Sequence, residues 1–218
     1  KDKGKDEQVI NAYVDACSVA INGEKDIEYG LQLTKRAKEL IEGFCTAKTG
    51  GTIWDLEKYA FDHKTTYELI NKKYEVLLLE AQNKIVDSYF QYIEKKREPK
   101  DRFYMPRRKQ LIKIGLVDAL QGMIDDKYDI LCVSLVPGAG KSTIEKFFHS
   151  AVAGWFPKDY SLFYSHSGDI TRMYYDGVYD IVTNDDDYAW HDIFPNLSVT
   201  STNAKMEQFN IGKYKPFP

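Results

Sequence analysis

Hydrophobic residues recur at helical spacing through the first half of this 218-residue chain. Residues 6–43 follow a helical pattern that breaks at 22–26, and the apolar positions of the second piece are Ile27, Leu31, Leu33, Ala37, Leu40 and Ile41. The paired glycines in residues 46–52 indicate a loop. A long helix is predicted over residues 65–96, with an apolar stripe on one face. We therefore expect an α-helical N-terminal region.

The second half alternates strand and helix patterns. Pro106 can open a helix whose apolar positions continue to Met123. Residues 130–135 and 160–167 read as strands, and a helical pattern follows each of them. Alternation of this kind is typical of βαβ units. We therefore expect an α/β fold, with a parallel sheet covered by helices on both faces.

A charged connection and a short tail complete the predicted organisation. The connection "KKREPKDR", residues 95–102, contains a proline and divides the chain into a helical region, 1–98, and a second domain, 99–218. The tail "LSVTSTNAKMEQFNIGKY" has the pattern of a β-hairpin with its turn near "TNAK".

Composition indicates a folded protein with a packed core and gives no sign of a membrane span or a disulfide framework. Apolar residues make up 43% of the chain and aromatic residues 14%, which is ample for a packed core. The net charge of −3 does not by itself indicate a nucleic-acid partner. Three scattered cysteines, Cys17, Cys45 and Cys132, suit reduced, buried thiols of a cytosolic protein. No apolar run approaches the roughly 18 residues of a membrane span, and the start "KDKGKDEQVI", which lacks an initiator Met, indicates a fragment or processed chain.

The stretch "DILCVSLVPGAGKSTIEKFF", residues 129–148, carries the candidate chemistry. A phosphate-binding loop needs consecutive backbone N–H groups directed at one point at a helix N-terminus. Gly138 and Gly140 permit the necessary backbone angles and a close approach of phosphate oxygens. The usual pattern begins with a further glycine, and Leu135 stands at that position here. The apolar segment before the loop and the helix after it still predict a nucleotide site.

Each residue of the loop has a predicted role. Lys141 would reach the β- and γ-phosphates, the Ser142 hydroxyl would hold Mg²⁺, and Thr143 would lie near the α-phosphate. The catalytic candidates are Lys141 and Ser142. The predicted nucleotide-binding residues of the loop are Pro137, Gly138, Ala139, Gly140, Lys141, Ser142 and Thr143.

From about Leu77 to the C-terminus the chain resembles a known family. The segments "LLLEAQNKIVDSYFQYIEKKREPKDRFYMPRRKQLIKIGLVDALQGM", "SLVPGAGKST", "YSHSGDITRMYYDGVYDIV" and "WHDIFPNLSVTSTNAK" follow the order found in the ATPase domain of tailed-phage and prophage large terminase subunits. The resemblance implies an ASCE-type P-loop ATPase, using ATP and Mg²⁺, that drives double-stranded DNA into a procapsid. It also implies a homo-oligomeric ring in the host bacterial cytoplasm, with the small terminase subunit and the portal protein as partners and no membrane association.

The resemblance assigns further residues. The segment "PRRKQ", residues 106–110, corresponds to the part of the family that contacts adenine and ribose, so Arg107, Arg108 and Gln110 join the predicted nucleotide-binding set. Residues 163–169 correspond to the strand and turn beside the active site, and Arg172 lies on the helix that follows. Residues 1–75 carry no motif of the family.

Two departures from the family limit the expected activity. Residues 136–139 lack the arginine that many terminases carry in the loop. The chain also stops at "GKYKPFP", before a strand that ends in the Asp-Glu pair that holds Mg²⁺ and orients water, and before the nuclease domain. We therefore expect nucleotide binding without efficient hydrolysis.

Other interpretations stay open. A P-loop kinase or another nucleotide-dependent transferase shares the loop, and residues 1–95 suit a helical interaction module that docks on the small terminase or the portal. The basic run at 107–109 is also typical of a solvated helix start, and the "DDD" of residues 185–187 of a solvated turn. The histidines are too dispersed for a metal site. Tyr174, Tyr175 and Tyr179 suit core packing better than base stacking.

Overall fold

A computed structural model describes residues 3–58 and 64–213 of the chain. The chain divides into two compact units, Lys1–Asn83 and Lys84–Pro218. Most described residues lie in helices, and the described part contains one sheet, which has two strands.

The first unit is helical, as the sequence predicts. Its elements are α1 (Lys3–Ser18), a π-helix (Val19–Glu24), α2 (Ile27–Thr49), α3 (Ile53–Lys58) and α4 (Lys64–Gln82). The predicted break at 22–26 is confirmed: Lys25 has a left-handed φ of 62°, and the Asp26 carboxylate accepts a hydrogen bond from the backbone N–H of Tyr29, which begins α2. The predicted loop at 46–52 is shorter than expected, because α2 continues to Thr49 and ends at Gly50, with φ of 73°.

Apolar side chains from all the helices of this unit meet in one core. The buried members are Ile10, Val14, Cys17, Ile21, Ala37, Ile41, Cys45, Ile53, Leu56, Leu69, Val76 and Leu79. A buried carboxylate also joins α2 to α4: Glu80 accepts hydrogen bonds from the Thr34 hydroxyl at 2.7 Å and from the Lys38 ammonium at 2.6 Å. Pairing of this kind offsets part of the cost of burying a charge.

The second unit contains the remaining elements. They are α5 (Val86–Ile93), a 3₁₀-helix (Pro99–Asp101), α6 (Tyr104–Lys113), α7 (Leu116–Ile124), α8 (Lys141–Trp155), α9 (Gly168–Thr183), α10 (Trp190–Ile193), β1 (Leu197–Asn203) and β2 (Gln208–Lys213). The helices predicted after residues 140 and 167 are confirmed. The long helix predicted over 65–96 is instead α4 and α5, separated at Lys84 with φ of 66°. Gly115, with φ of 77°, likewise separates α6 from α7.

The boundary between the units differs from the predicted one. The sequence places it after residue 98, whereas the compact units divide between Asn83 and Lys84. Helix α5 packs against α6, α7 and α8 of the second unit, and those contacts bind it to that unit. The charged connection at 95–102 lies inside the second unit, where it forms a turn followed by the 3₁₀-helix Pro99–Asp101.

The predicted C-terminal hairpin is confirmed. Strands β1 and β2 pair antiparallel, from Leu197 opposite Lys213 to Asn203 opposite Gln208. At the turn, the backbone N–H of Met206 donates to both the carbonyl and the side-chain oxygen of Asn203. The ring of Phe209 on β2 packs against two tyrosines of α9, Tyr175 and Tyr179.

The predicted α/β fold is wrong. The structure has no parallel sheet in the described residues, because the segments 130–135 and 160–167 are not strands. A strand is stabilised by hydrogen bonds to a neighbouring strand. The backbone groups of residues 131–135 and 161–165 make no hydrogen bond to another described residue. The side chains of Ile130 and Tyr160 are accordingly 81% and 99% exposed.

Helix α8 is anchored in the core of the second unit. The Ser150 hydroxyl shares a 2.8 Å hydrogen bond with the phenol of Tyr89 on α5, and the Trp190 indole donates to the Ser150 carbonyl at 2.9 Å. The ring of Phe147 packs against Phe90 of α5. These contacts fix the helix whose first residue, Lys141, lies in the candidate loop.

Candidate nucleotide-binding site

The candidate loop leads directly into α8. Helix α8 begins at Lys141, and Gly140 is the residue that precedes its first turn, with φ of 87°. Gly138 also has a left-handed φ, of 79°. Residues with a Cβ rarely adopt this conformation, so the positive φ angles of the loop favour glycine at both positions.

The loop presents several backbone donors at one helix end. The N–H of Ala139 donates to the Val136 carbonyl at 3.2 Å, and the N–H of Thr143 donates to the Gly140 carbonyl at 3.1 Å. Within residues 3–58 and 64–213, four other N–H groups of the loop and helix start have no acceptor, those of Gly138, Gly140, Lys141 and Ser142. Free N–H groups at the positive end of a helix dipole are typical of anion sites.

Side chains beside these donors can supply further contacts. The Lys141 ammonium lies 3.8 Å from the Glu145 carboxylate, and both side chains are 45% exposed. An exposed pair at this distance contributes little, so a phosphate can displace Glu145. The Ser142 side chain is exposed at the first turn of α8, and that of Thr143 is half-buried.

The segment predicted to contact adenine lies on α6 and reaches the loop through an aromatic ring. A Cβ built at Gly140 would overlap the ring of Phe103, which therefore packs directly on the loop. The Arg107 guanidinium lies over the same ring, 4.3 Å from its centre, and donates to the Phe103 carbonyl at 3.0 Å. The Phe103 ring thus lies between the Arg107 guanidinium and Gly140.

Arg108 has a different environment. Its guanidinium makes two hydrogen bonds to the Asp87 carboxylate, at 2.8 and 2.7 Å, and so joins α6 to α5. The Tyr104 phenol donates to the same carboxylate at 2.6 Å, and burial, with Asp87 nearby, raises the pKa of that phenol. Gln110 is exposed on α6. The predicted nucleotide contact of Arg108 would have to compete with this pairing.

The second predicted segment, 163–169, runs into the start of α9 at Gly168 and packs back on that helix. The ring of Phe163 stacks on the ring of Tyr174, with 3.7 Å between their centres. The Tyr174 phenol is also hydrogen-bonded to Nδ1 of His149 on α8, and burial lowers the pKa of this histidine. Arg172 is exposed, and its guanidinium lies 3.9 Å from the Asp176 carboxylate.

The described residues contain no group of three or more His, Cys, Asp or Glu side chains able to hold a metal ion. Residues 185–187 form a turn, in which the Asn184 side chain accepts from the backbone N–H groups of Asp186 and Asp187. Asp185 pairs with His191 at 2.7 Å. At the loop, the Ser142 hydroxyl, phosphate oxygens and water would hold a Mg²⁺ ion, which is a common arrangement for this ion.

Comparison with known proteins adds no identification. Searches of protein-family models, curated proteins and solved structures give no match to this chain. Across the described residues, no helix has both the length and the apolar character needed to cross a membrane.

Sequence analysis gives no site role to two residues that shape the loop, Glu94 and Phe103. Both lie in the first segment that resembles the terminase family, and the resemblance assigns a function to neither. A signal for Glu94 exists in its position, because it directly follows the mostly apolar segment of α5, in which nearly all residues are buried. Phe103 has no such signal, since only the fold brings it to Gly140.

Proposed function

We propose that this chain binds MgATP through residues 137–143 and is the ATP-binding part of a viral DNA-packaging motor. The observation that carries the nucleotide site is the set of four N–H donors at the start of α8 that have no acceptor in the described part of the chain. The resemblance to large terminase subunits supports the packaging role. Double-stranded DNA, the small terminase and the portal are then the partners, in a ring of subunits in the host bacterial cytoplasm.

In this proposal each group of the loop contacts a different part of the nucleotide. The N–H groups of Gly138, Gly140 and Lys141 bind phosphate oxygens, and the Lys141 ammonium neutralises their charge. The Ser142 hydroxyl is the protein ligand for Mg²⁺, which when bound screens the phosphate charge. Arg107 lies toward the ribose and base. The activity that we propose for the motor is ATP hydrolysis, with this site holding the nucleotide.

Titration with a fluorescent ATP analogue and Mg²⁺ tests the site. We expect saturable binding by the native chain and a loss of at least about tenfold in affinity for Lys141→Ala, because a charge-assisted phosphate contact is removed. Lys205→Ala is the matched control, since Lys205 is an exposed lysine in the hairpin turn. Equal affinity in all three proteins, or none in any, would contradict the proposal.

DNA-stimulated ATP turnover distinguishes a motor from a kinase. A packaging motor that contains this chain should hydrolyse ATP faster when double-stranded DNA is present, because translocation couples ATP hydrolysis to movement of the DNA. Phosphoryl transfer to a small acceptor, with no response to DNA, would favour the kinase.

The first unit supports a second role. Its helices enclose a core of their own. A separately packed helical unit suits docking on the small terminase or the portal. Binding of either protein by residues 1–83, measured by calorimetry, would support this role, and no binding at high micromolar concentration would exclude it.

A further inference from the structure

Gly140 is constrained by its neighbour as well as by its backbone. A Cβ at this position would overlap the Cζ atom of Phe103, and the Cε1 atom of the same ring would lie 3.3 Å away. The left-handed φ of 87° separately disfavours any side chain. The ring edge of Phe103 therefore occupies the space that a side chain at residue 140 would need.

The backbone of Phe103 is held by a buried carboxylate. The Glu94 side chain is 1% exposed and accepts hydrogen bonds from the backbone N–H of Phe103, at 2.8 and 3.1 Å, and from that of Tyr104, at 2.8 Å. The Arg97 guanidinium pairs with the same carboxylate at 3.2 Å. Glu94 thus accepts from two backbone N–H groups at the start of α6 that the helix itself leaves without an acceptor, and these bonds fix the position of the Phe103 backbone.

Two further groups hold the ring itself. The Arg107 guanidinium covers one face of Phe103, and the ring of Phe147 on α8 meets it edge-on, with 6.3 Å between the ring centres. The Arg102 guanidinium donates to the carbonyls of Lys95 and Arg97, which fixes the turn that leads into Phe103. A ring held from several sides is a rigid surface for the loop to rest on.

We propose that Phe103 is a positioning residue of the nucleotide site: its ring edge, packed on Gly140 and supported by Glu94, holds the loop in the conformation that presents the four N–H donors. The inference rests on the proposed nucleotide-binding function. Preorganisation of this kind raises affinity, because the apparent dissociation constant increases as the binding-competent fraction falls.

Substitutions of Phe103 test the proposal in the nucleotide titration. Phe103→Ala should raise the dissociation constant for the MgATP analogue about tenfold, as expected if the competent fraction falls to about one tenth. Phe103→Tyr should be at least as harmful, because its hydroxyl extends from Cζ, the atom that faces Gly140. Phe103→Leu keeps an apolar side chain and should bind the MgATP analogue more tightly than the Ala and Tyr variants. It replaces Phe103→Ala as the test variant if Phe103→Ala does not fold.

The chain contains a matched control on the same helix. The ring of Phe194 packs on Gly154, near the C-terminal end of α8, in the same way that Phe103 packs on Gly140. Phe194→Ala should lower the melting temperature and leave the dissociation constant within about twofold, because it does not touch the loop. If Phe194→Ala weakens binding as much as Phe103→Ala, or if Phe103→Tyr binds like the native chain, the positioning role is wrong.

A measurement without nucleotide separates this inference from the function it rests on. The proton resonances of Gly140 should carry a ring-current shift that disappears in Phe103→Leu and persists in Phe194→Ala. If the shift is present and the native chain fails to bind MgATP, the nucleotide function fails while the packing stands. If the native chain binds and the shift is absent, the nucleotide function stands and the role of Phe103 is overturned.

Discussion

At the residue scale, the three cysteines differ in environment. Cys17 and Cys45 are buried in the core of the first unit, as expected, whereas Cys132 is exposed. Burial raises the pKa of the Cys17 thiol to about 11, and burial also raises the pKa of the Cys45 thiol. The difference arises because the segment around Cys132 is not covered by a neighbouring strand.

Thiol labelling of the native protein should therefore select one cysteine. We expect Cys132 to react with a maleimide more than about a hundredfold faster than Cys17 or Cys45, which react only when the first unit opens. Mass spectrometry of digested protein assigns the labelled site. Cys132→Ser is the control and should abolish the fast phase, and comparable rates at all three thiols would contradict the described burial.

The candidate site shows which residues a sequence can reveal. Lys141, Ser142 and the two loop glycines follow a local pattern that the chemistry of phosphate binding requires. Phe103 and Glu94 shape the same loop but act through contacts between distant parts of the chain. Arg108 is a residue whose charge is visible in the sequence and whose pairing with Asp87 is not.

At the element scale, helices α8 and α9 meet through a titratable pair. His149 on α8 is hydrogen-bonded to the phenol of Tyr174 on α9, and Glu145 is the charged group beside them. Burial lowers the pKa of His149 below its ordinary value of 6.5. The unfolded chain then binds this proton more readily than the folded one, so the contribution to stability is complete above pH 6.5 and declines as the pH falls below it.

The free energy of unfolding should reflect this histidine. Denaturant titrations from pH 8 to pH 5 should show a loss of stability below pH 6.5 that is reduced in His149→Asn. At pH 8 the variant should be about 1–2 kcal/mol less stable, because a buried hydrogen bond is altered. His166→Asn removes an exposed histidine and should keep the native pH dependence. If the free energy of unfolding of His149→Asn depends on pH as steeply as that of the native chain, the account is contradicted.

Helices were easier to predict than the sheet, for a physical reason. A helix makes its hydrogen bonds within one segment, and α8 and α9 accordingly begin at the predicted residues. The segments 130–135 and 160–167 have residues typical of strands, yet a strand also needs a partner, which local sequence cannot supply. The hairpin is the exception, because its two strands are neighbours in the chain and a short turn joins them.

At the scale of the whole molecule, the chain is organised as two packed units. The sequence predicts a helical region followed by a second domain, and it places the boundary at a charged, proline-containing stretch. That stretch is instead held inside the second unit by Glu94 and Arg102. Composition indicates where a boundary is plausible, and buried polar contacts decide where it lies.

The first unit should fold by itself. We expect residues 1–83 to be helical by circular dichroism and to unfold in one cooperative transition, because their core is contained within the unit. Ile41→Ala should reduce the free energy of unfolding by about 2–5 kcal/mol, since Ile41 is buried. Lys35→Ala is the control, because Lys35 is exposed on the same helix, and it should change the free energy of unfolding by less than about 0.5 kcal/mol. A non-cooperative transition would contradict a self-contained core.

The central claim is that the backbone at the start of α8 binds phosphate. The most direct measurement follows the amide resonances of the chain by NMR as MgATP is added. The account predicts saturable downfield shifts at Gly138, Gly140, Lys141 and Ser142, whose N–H groups have no acceptor among residues 3–58 and 64–213, and small changes in α7. Saturable binding that leaves these four amides unmoved, or no binding at millimolar MgATP, would contradict it.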